Sequence, residues 1–381
     1  MKEGWEYKTL GEVAKVFAGG DVPKNRMSKC KKEPFIIPIY TNGIENEGLY
    51  GYTDIARVND LSLTISARGT IGAIFKRNNP FFPAIRLITV CPQNIVDINF
   101  LYYVLLNSTF TKSGTTIPQL TVPMLKQYRF AIPENISIQQ NIANYLDSSF
   151  KLIDEIKNKA LKSLSEAKAL FQSALTEAME SKEGWEYKTL GEVVSFSRGL
   201  TYKKSDEVDY STKVVLRSTN INVDNNSLNI DELKYLNENI EFEEEKLIKK
   251  GSILICMSNG SKKHLGKVAL IEHDYKYAFG GFMGLLTPVI KINSKYLYYT
   301  LTTPKYKEYI KSLSEGANIN NLKIKDIQKY IIPIFPLNEQ NQIVSRLDKL
   351  SSKVRAIEEK YQKMVEECDA LKQAMLRDVF E

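Results

Sequence analysis

Gly4-Trp5-Glu6-Tyr7-Lys8-Thr9-Leu10-Gly11-Glu12-Val13 returns unchanged as Gly184-Trp185-Glu186-Tyr187-Lys188-Thr189-Leu190-Gly191-Glu192-Val193, an offset of 180 positions. A ten-residue identity at that distance marks a tandem duplication. The period is far longer than the roughly 20 to 50 residues of a solenoid repeat, and each copy is large enough to bury a core of its own. Two domains of one kind are expected to face two similar targets.

Working outward from those words, each copy passes from a β-rich region into a heptad helix. Ile343, Leu347, Leu350, Val354, Ile357, Tyr361, Met364, Cys368, Leu371 and Met375 step by four and three without a break, which is the pattern of a coiled-coil seam. Moving back 201 positions gives Ile142, Leu146, Ser149, Ile153, Ile156, Ala160, Ser163, Ala167, Leu170 and Ala174, the same register with smaller residues at several places. Large residues such as Tyr361 and Met364 are expected to face small ones in an antiparallel partner helix. Neither 138–181 nor 338–381 contains Gly or Pro, so each can run roughly 60 Å as one helix. The offset grows from 180 to 201 along the repeat, which gives the second globular part about twenty extra residues. The expected layout is a globular domain over 1–137, a helix over 138–181, a second domain over 182–337 and a second helix over 338–381.

With 381 residues, 43% of them apolar, the chain has material for two cores. No apolar stretch is long enough for a transmembrane helix, and no secretory leader pattern opens the chain. Cys30, Cys91, Cys256 and Cys368 lack paired spacing. These features together predict a cytoplasmic protein with reduced cysteines. The net charge of +7 divides unevenly: the two globular parts carry +5 and +4, and each helix carries −1. A positive excess confined to the repeated domains points toward nucleic acid.

Inside each globular part the pattern is strands and turns. Leu61–Ile65 and Ser252–Cys256 read as buried strands running into glycine-bearing turns, 66–72 and 257–266. Arg68 and Thr70 in the first turn, and Asn259, Ser261, Lys262, Lys263 and His264 in the second, suit phosphate and base contact; a solvated hairpin tip is the competing reading. A second matched pair is Pro38-Ile39-Tyr40-Thr41-Asn42-Gly43 and Val214-Val215-Leu216-Arg217-Ser218-Thr219-Asn220. Asn pairs with an adenine edge and Arg with guanine, which makes Tyr40, Thr41, Asn42, Arg217, Thr219 and Asn220 candidate DNA contacts, although Thr-Asn is equally ordinary turn chemistry. The basic pair Lys76 and Arg77 completes the set. The aromatic-rich stretch from Asn46 to Tyr52 suits a sugar or base, or a half-buried strand.

Further on, Phe100-Leu101-Tyr102-Tyr103 answers Tyr296-Leu297-Tyr298-Tyr299 as a short helix whose tyrosines serve core packing. Gly114-Thr115-Thr116-Ile117-Pro118-Gln119-Leu120 answers Gly316-Ala317-Asn318-Ile319-Asn320-Asn321-Leu322, and Ile132-Pro133 and Ile331-Ile332-Pro333 close the two domains. These words, their order twice over, and Pro336-Leu337-Asn338-Glu339-Gln340 at the start of the second helix resemble the specificity subunits of type I restriction-modification systems. The first copy departs from the pattern with Ile138-Gln139 where the second has Glu339-Gln340, which weakens the expectation of equivalent contacts at the two helix starts.

The resemblance implies an α+β fold, with two tandem β-rich target recognition domains separated by two long helices that form an antiparallel coiled coil. It also implies a non-catalytic subunit that reads double-stranded DNA, one half of a split target per domain. The helices would dock two methyltransferase subunits, with two restriction or motor subunits added for cleavage. S-adenosylmethionine, ATP and Mg²⁺ would then belong to those partners and not to this chain. Enzyme motifs are incomplete: Asn79-Pro80-Phe81-Phe82 lacks the second proline of an adenine methyltransferase word, and Gly260 to Lys267 lacks the spacing and the hydroxyl of a phosphate loop. His264 and His273 are the only histidines and form no triad or metal pattern. The alternative that periodicity and duplication suit equally is a coiled-coil scaffold carrying two protein-interaction modules, without DNA reading.

Overall fold

The computed structural model describes residues 4–108, 119–180, 185–223, 225–314 and 321–381. Two compact units emerge, Met1–Leu161 with Gln362–Glu381 and Lys162–Tyr361. In the first, the repeated words fold as strand β1 (Trp5–Thr9) and the one-turn helix α1 (Leu10–Val13). The Glu12 carboxylate accepts from the Thr9 N–H and hydroxyl at 2.6 and 2.7 Å, closing a capping box. Those bonds hold its pKa below the usual carboxylate range. Gly11 packs closely on Lys126, where a Cβ would lie 3.2 Å from the Lys126 carbonyl oxygen.

Strands β2 (Ala14–Ala18), β3 (Met27–Ser28), β4 (Ile37–Tyr40), β5 (Leu49–Thr53) and β6 (Ser62–Ile65) follow. After them come β7 (Ile74–Arg77), β8 (Phe82–Pro83), β9 (Ile88–Pro92) and β10 (Arg129–Pro133). They form two four-stranded sheets, ordered β2-β9-β6-β7 and β3-β5-β4-β8, and a two-stranded pair, β1-β10. Leu63, Ile65, Ile88 and Val90 put one face of the first sheet in the core, together with Phe100, Leu101, Val104 and Leu105 of helix α2 (Ile98–Leu106). Each such side chain contributes about 1.5–3 kcal/mol on burial. Helix α3 (Val122–Lys126) leads to β10, and the long helix α4 (Ile136–Ala178) begins three residues after it.

The second unit repeats this plan. Strand β11 (Glu186–Thr189) and helix α5 (Leu190–Val193) carry the same capping box, Glu192 on Thr189. Then come β12 (Val194–Arg198), β13 (Glu207–Val208), β14 (Lys213–Leu216), β15 (Lys234–Leu236) and β16 (Ile253–Cys256). They are followed by β17 (Val268–Leu270), β18 (Ala278–Phe279), β19 (Met283–Pro288) and β20 (Ile331–Ile334). The sheets are ordered β12-β19-β16-β17 and β13-β15-β14-β18, with β11-β20 as the pair, so the first unit's topology returns strand for strand. In both, the smaller-numbered sheet partner of the turn region is a parallel pair: β4 with β8, and β14 with β18. Helices α6 (Ser294–Thr300), α7 (Pro304–Ser314) and α8 (Ile324–Ile327) precede the long α9 (Leu337–Phe380).

The long helices run antiparallel within each unit. In the first, Lys157 pairs with Asp369 and Lys372 with Asp154, while Leu146 and Leu376 share a cluster with Tyr103. In the second, Leu175 packs with Val344 and Leu347, and Arg346 lies 3.5 Å from Glu177. The expected seam is half right. Leu146, Ile153, Leu347 and Val354 are buried, and Ile142, Ile343, Leu350, Tyr361 and Met364 are half-buried, but Ile156, Leu170, Ile357 and Leu371 stand exposed. The interface is therefore carried by one column of the heptad, where Ala160, Ala167 and Cys368 are also buried.

The two helix starts make closely similar contacts despite that departure. Gln139 is fully buried; its Oε1 accepts from the Asp97 N–H at 2.8 Å and its Nε2 donates to the Pro133 and Ile95 carbonyls. Gln340 does the same with the Asn293 N–H and the Phe335 carbonyl. The difference between the two copies falls one residue earlier, at Ile138 and Glu339, which carry no part of this contact. Each clamp ties a long helix to the N-cap of α2 or α6, since Asp97 and Asn293 are those caps. About two turns on, the Tyr103 hydroxyl donates to Asp147 at 2.7 Å and Tyr299 to Asp348 at 2.6 Å. In the repeated tyrosine words Tyr103, Tyr296 and Tyr299 are thus core residues, as expected, and Tyr102 and Tyr298 are half-buried.

Candidate nucleic-acid interface

Four chain segments meet at one end of the sheets in each unit: the exits of β4 and β6, the β8–β9 turn and the residues before α3. In the first unit Asn42 joins three of them. Its Nδ2 donates to the Ile85 carbonyl at 2.7 Å and its Oδ1 accepts from the Ala67 N–H at 2.7 Å. The Ala67 carbonyl accepts from Leu120 at 3.0 Å, and Arg68 donates through Nε and Nη2 to the Gln119 Oε1. Arg68 and Thr70 are exposed on this surface, beside Gly69, whose φ of 68° makes the turn.

The same meeting recurs in the second unit with different residues. The Met257 carbonyl accepts from Leu322, and the Met257 and Ser258 N–H groups both donate to the Phe282 carbonyl, at 2.9 and 3.1 Å. Asn259 bridges to the β14 exit through its Nδ2 on the Ser218 hydroxyl, at 2.9 Å, and its Oδ1 accepts from the Ser261 N–H. A cleft of about 650 Å³ opens here, lined by Arg198, Ser258, Phe282, Asn321, Lys323, Lys325 and Lys329 against one acid, Asp326. Lys329 is held by that acid at 3.2 Å, whereas Lys323 and Lys325 are exposed. Lysines with free ammonium groups suit phosphate oxygens.

The candidates divide into surface and framework groups. Arg68, Thr70, Thr219, Ser261, Lys262 and Lys263 are exposed. Arg217 is half-buried, and its Nε is buried without a hydrogen-bond partner. His264 is half-buried; its Nδ1 lies 3.0 Å from the Lys267 ammonium, which also donates to the Ile221 carbonyl. Burial, then Lys267 and Lys263, lower the His264 pKa. It packs the turn and presents no free edge on the Nδ1 side.

Arg77 is a correction. Its side chain is 3% exposed, with Nε on the Thr64 hydroxyl, Nη1 on the Glu47 carboxylate, Nη2 on the Glu47 carbonyl and the guanidinium 3.5 Å over the Tyr40 ring. Burial lowers its pKa, and the charge is neutralised inside the unit. Tyr40, half-buried, is the floor of that arrangement and also meets Phe81 edge-on, so the Arg77 guanidinium does not reach the surface. Lys76 likewise turns to Asp147 and the Tyr102 ring. Thr41 donates its N–H to Gly48.

The two Thr-Asn words are not equivalent. Tyr40 and Leu216 hold the same place, each giving its carbonyl to the residue after the parallel strand, so Asn42 matches Ser218 and not Asn220. Asn220 is buried and spends its amide on the Arg217 N–H and the Asn229 and Glu232 carbonyls. The glycine words 114–118 and 316–320 lie outside the described residues.

Sequence reasoning missed Arg86, Arg198, Phe282, Lys323 and Lys325. Ile85 and Arg86 adopt left-handed φ values of 52° and 59° and are exposed; Gly281 and Phe282 stand in their place in the second unit. The Gly280-Gly281 pair was the available signal for a tight turn at this place. Among the described residues no cluster of three metal-ligating side chains occurs and no helix is long and apolar enough to cross a membrane.

Comparison with known proteins bears on this geometry. The family model for the type I restriction modification DNA specificity domain matches residues 2–166 and 182–367. The type I restriction enzyme EcoKI specificity subunit of Escherichia coli is 33% identical over 197 residues, 51% of this chain and 42% of that protein. The StySPI specificity subunit of Salmonella potsdam is 32% identical over 197 residues, with the same shares. The chain thus matches less than half the length of these curated relatives. A chain solved in work on complex assembly and conformational transition of the type I R-M system is similar in fold, with a TM-score of 0.75 at 18% identity, covering 100% of this chain and 98% of that one. With its domain model matched twice over most of its length, the chain belongs to the type I restriction-modification DNA specificity family.

Proposed function

We propose that this chain is the non-catalytic, sequence-reading subunit of a DNA methyltransferase complex and reads a bipartite double-stranded target, one domain per half-site. The observation that carries this reading is the recurrence of one meeting of four segments in both units, each presenting different polar and basic side chains. A shared framework with unlike surface residues is what two different half-sequences require. Within the reading, Arg68, Thr70 and Arg86 face one half, and Arg198, Arg217, Thr219, Ser261, Lys262, Lys263, Lys323 and Lys325 face the other.

The exposed apolar residues of the long helices support partner docking. Leu152, Ile156, Leu161 and Leu371 in the first unit, and Leu170 and Ile357 in the second, offer apolar area that a methyltransferase subunit would cover. Two such subunits, and two motor subunits where cleavage occurs, would bring S-adenosylmethionine, ATP and Mg²⁺. The helices would then set the spacer between the half-sequences.

The test is equilibrium binding by the chain assembled with its methyltransferase subunits. The reading predicts affinity for random duplex that falls steeply with salt, and one sequence bound at least about 1,000-fold tighter than random duplex. Binding without salt dependence or sequence preference would favour two protein-interaction modules on a scaffold.

A further inference from the structure

The β8–β9 turn and its counterpart between β18 and β19 sit at the same point of the fold. Ala84 donates its N–H to the Tyr40 carbonyl at 2.9 Å and Gly280 to the Leu216 carbonyl at 2.8 Å, so each turn leaves the end of the parallel pair. The strand register then places Arg86 and Phe282 at one position.

Both tips are pinned by their backbone while their side chains are left to solvent. Ile85 donates its N–H to Gly20 at 2.8 Å and gives its carbonyl to Asn42, which holds Ile85 and Arg86 in left-handed φ that a β-branched residue rarely adopts. Phe282 gives its carbonyl to two N–H donors, yet its side chain is 71% exposed. That ring lines the cleft with Arg198, Lys323 and Lys325, so an exposed phenyl stands among cations. An apolar partner embedded in negative charge fits this surface: a base edge between phosphates. Arg86 offers a bidentate donor fork at the matching place.

We propose that these two tips contact bases, with Arg86 reading a G·C pair through guanine O6 and N7 in one half-site and Phe282 reading an A·T pair through the thymine methyl in the other. The proposal rests on the DNA-reading function above. It explains why one framework position carries residues of opposite character: the two halves differ there in the chemistry of the base pair.

The test is the methylated motif in cells carrying the full chain with its methyltransferase subunits, read by sequencing that detects modified bases. In Arg86→Ala, discrimination at one G·C pair of one half-site is expected to fall roughly 5- to 150-fold with the other half-site intact. In Phe282→Ala the loss is expected at one A·T pair of the opposite half-site. Arg86→Lys separates base reading from phosphate contact, because Lys keeps the charge and loses the fork; it is expected to relax the same pair. An unchanged motif in Arg86→Ala and Phe282→Ala, losses in the same half-site, or loss of both halves together overturns the proposal. Absence of any methylated motif with the parent chain instead overturns the DNA-reading function itself.

Discussion

Replacing Lys323 and Lys325 together by Gln removes two unpaired cations from the second unit's cleft without touching its core, since both side chains are exposed. Each phosphate neutralised contributes about −0.9 to the slope of log affinity against log salt, so two lost contacts flatten the slope by about 1.8. Over a fourfold rise from about 50 to about 200 mM salt, the parent should lose about 12-fold more affinity than the double variant. Lys329 is the internal comparison: Asp326 already holds it at 3.2 Å, and Lys329→Gln should flatten the slope less than either free lysine. Fluorescence anisotropy with a random-sequence duplex measures all of these. A double variant whose slope changes by less than about 0.5 would remove the cleft from the DNA path.

Gln139→Ala leaves the Asp97 N–H and the Pro133 and Ile95 carbonyls without their partner and should cost about 3 kcal/mol or more in denaturant unfolding, with Gln340→Ala slightly milder because it has one acceptor fewer; losses under about 1 kcal/mol would show that water replaces the clamp. Ile85→Gly relieves a left-handed β-branched residue and should hold stability within about 1 kcal/mol of the parent, where a loss of about 2 would mean that no strain is stored there. Because the His264 pKa is lowered in the fold, its contribution to stability is present above its unfolded value and is lost as pH falls through the folded one; acid titration of the His264→Gln chain should show a shallower loss of stability below about pH 6.5. Four residues inserted beside the buried Ala160 lengthen helix α4 by about 6 Å, and the methylated motif should keep both half-sequences while its spacer changes; an unaltered spacer in a folded variant would assign the spacing to the partners.

The duplication, the strand and helix types and the long helices were legible because they rest on identities and periods within the chain. Helices expected over 138–181 and 338–381 run Ile136–Ala178 and Leu337–Phe380. The seam was legible at Leu146 and Leu347 but not at Ile156, Leu170, Ile357 and Leu371, because a heptad pattern marks an apolar stripe without saying how much of it the partner covers. Arg77 illustrates the harder loss. Its burial depends on Glu47 and Tyr40, distant residues that only the folded sheets bring over it. The Thr-Asn words misled for a related reason: a match of two letters does not fix strand register, and the hydrogen bonds set Asn42 against Ser218. The candidate surface is assembled from four separated segments, so Arg86, Phe282, Lys323 and Lys325 carry no common word in the sequence.

The most direct test of the central claim is the methylated motif produced by the parent chain in a cell that also expresses its methyltransferase subunits. Two domains with one framework and unlike tips, Arg86 in one and Phe282 in the other, predict two unlike half-sequences separated by a fixed spacer. A continuous motif, or two identical inverted halves, would contradict the assignment of one differing half-site to each domain.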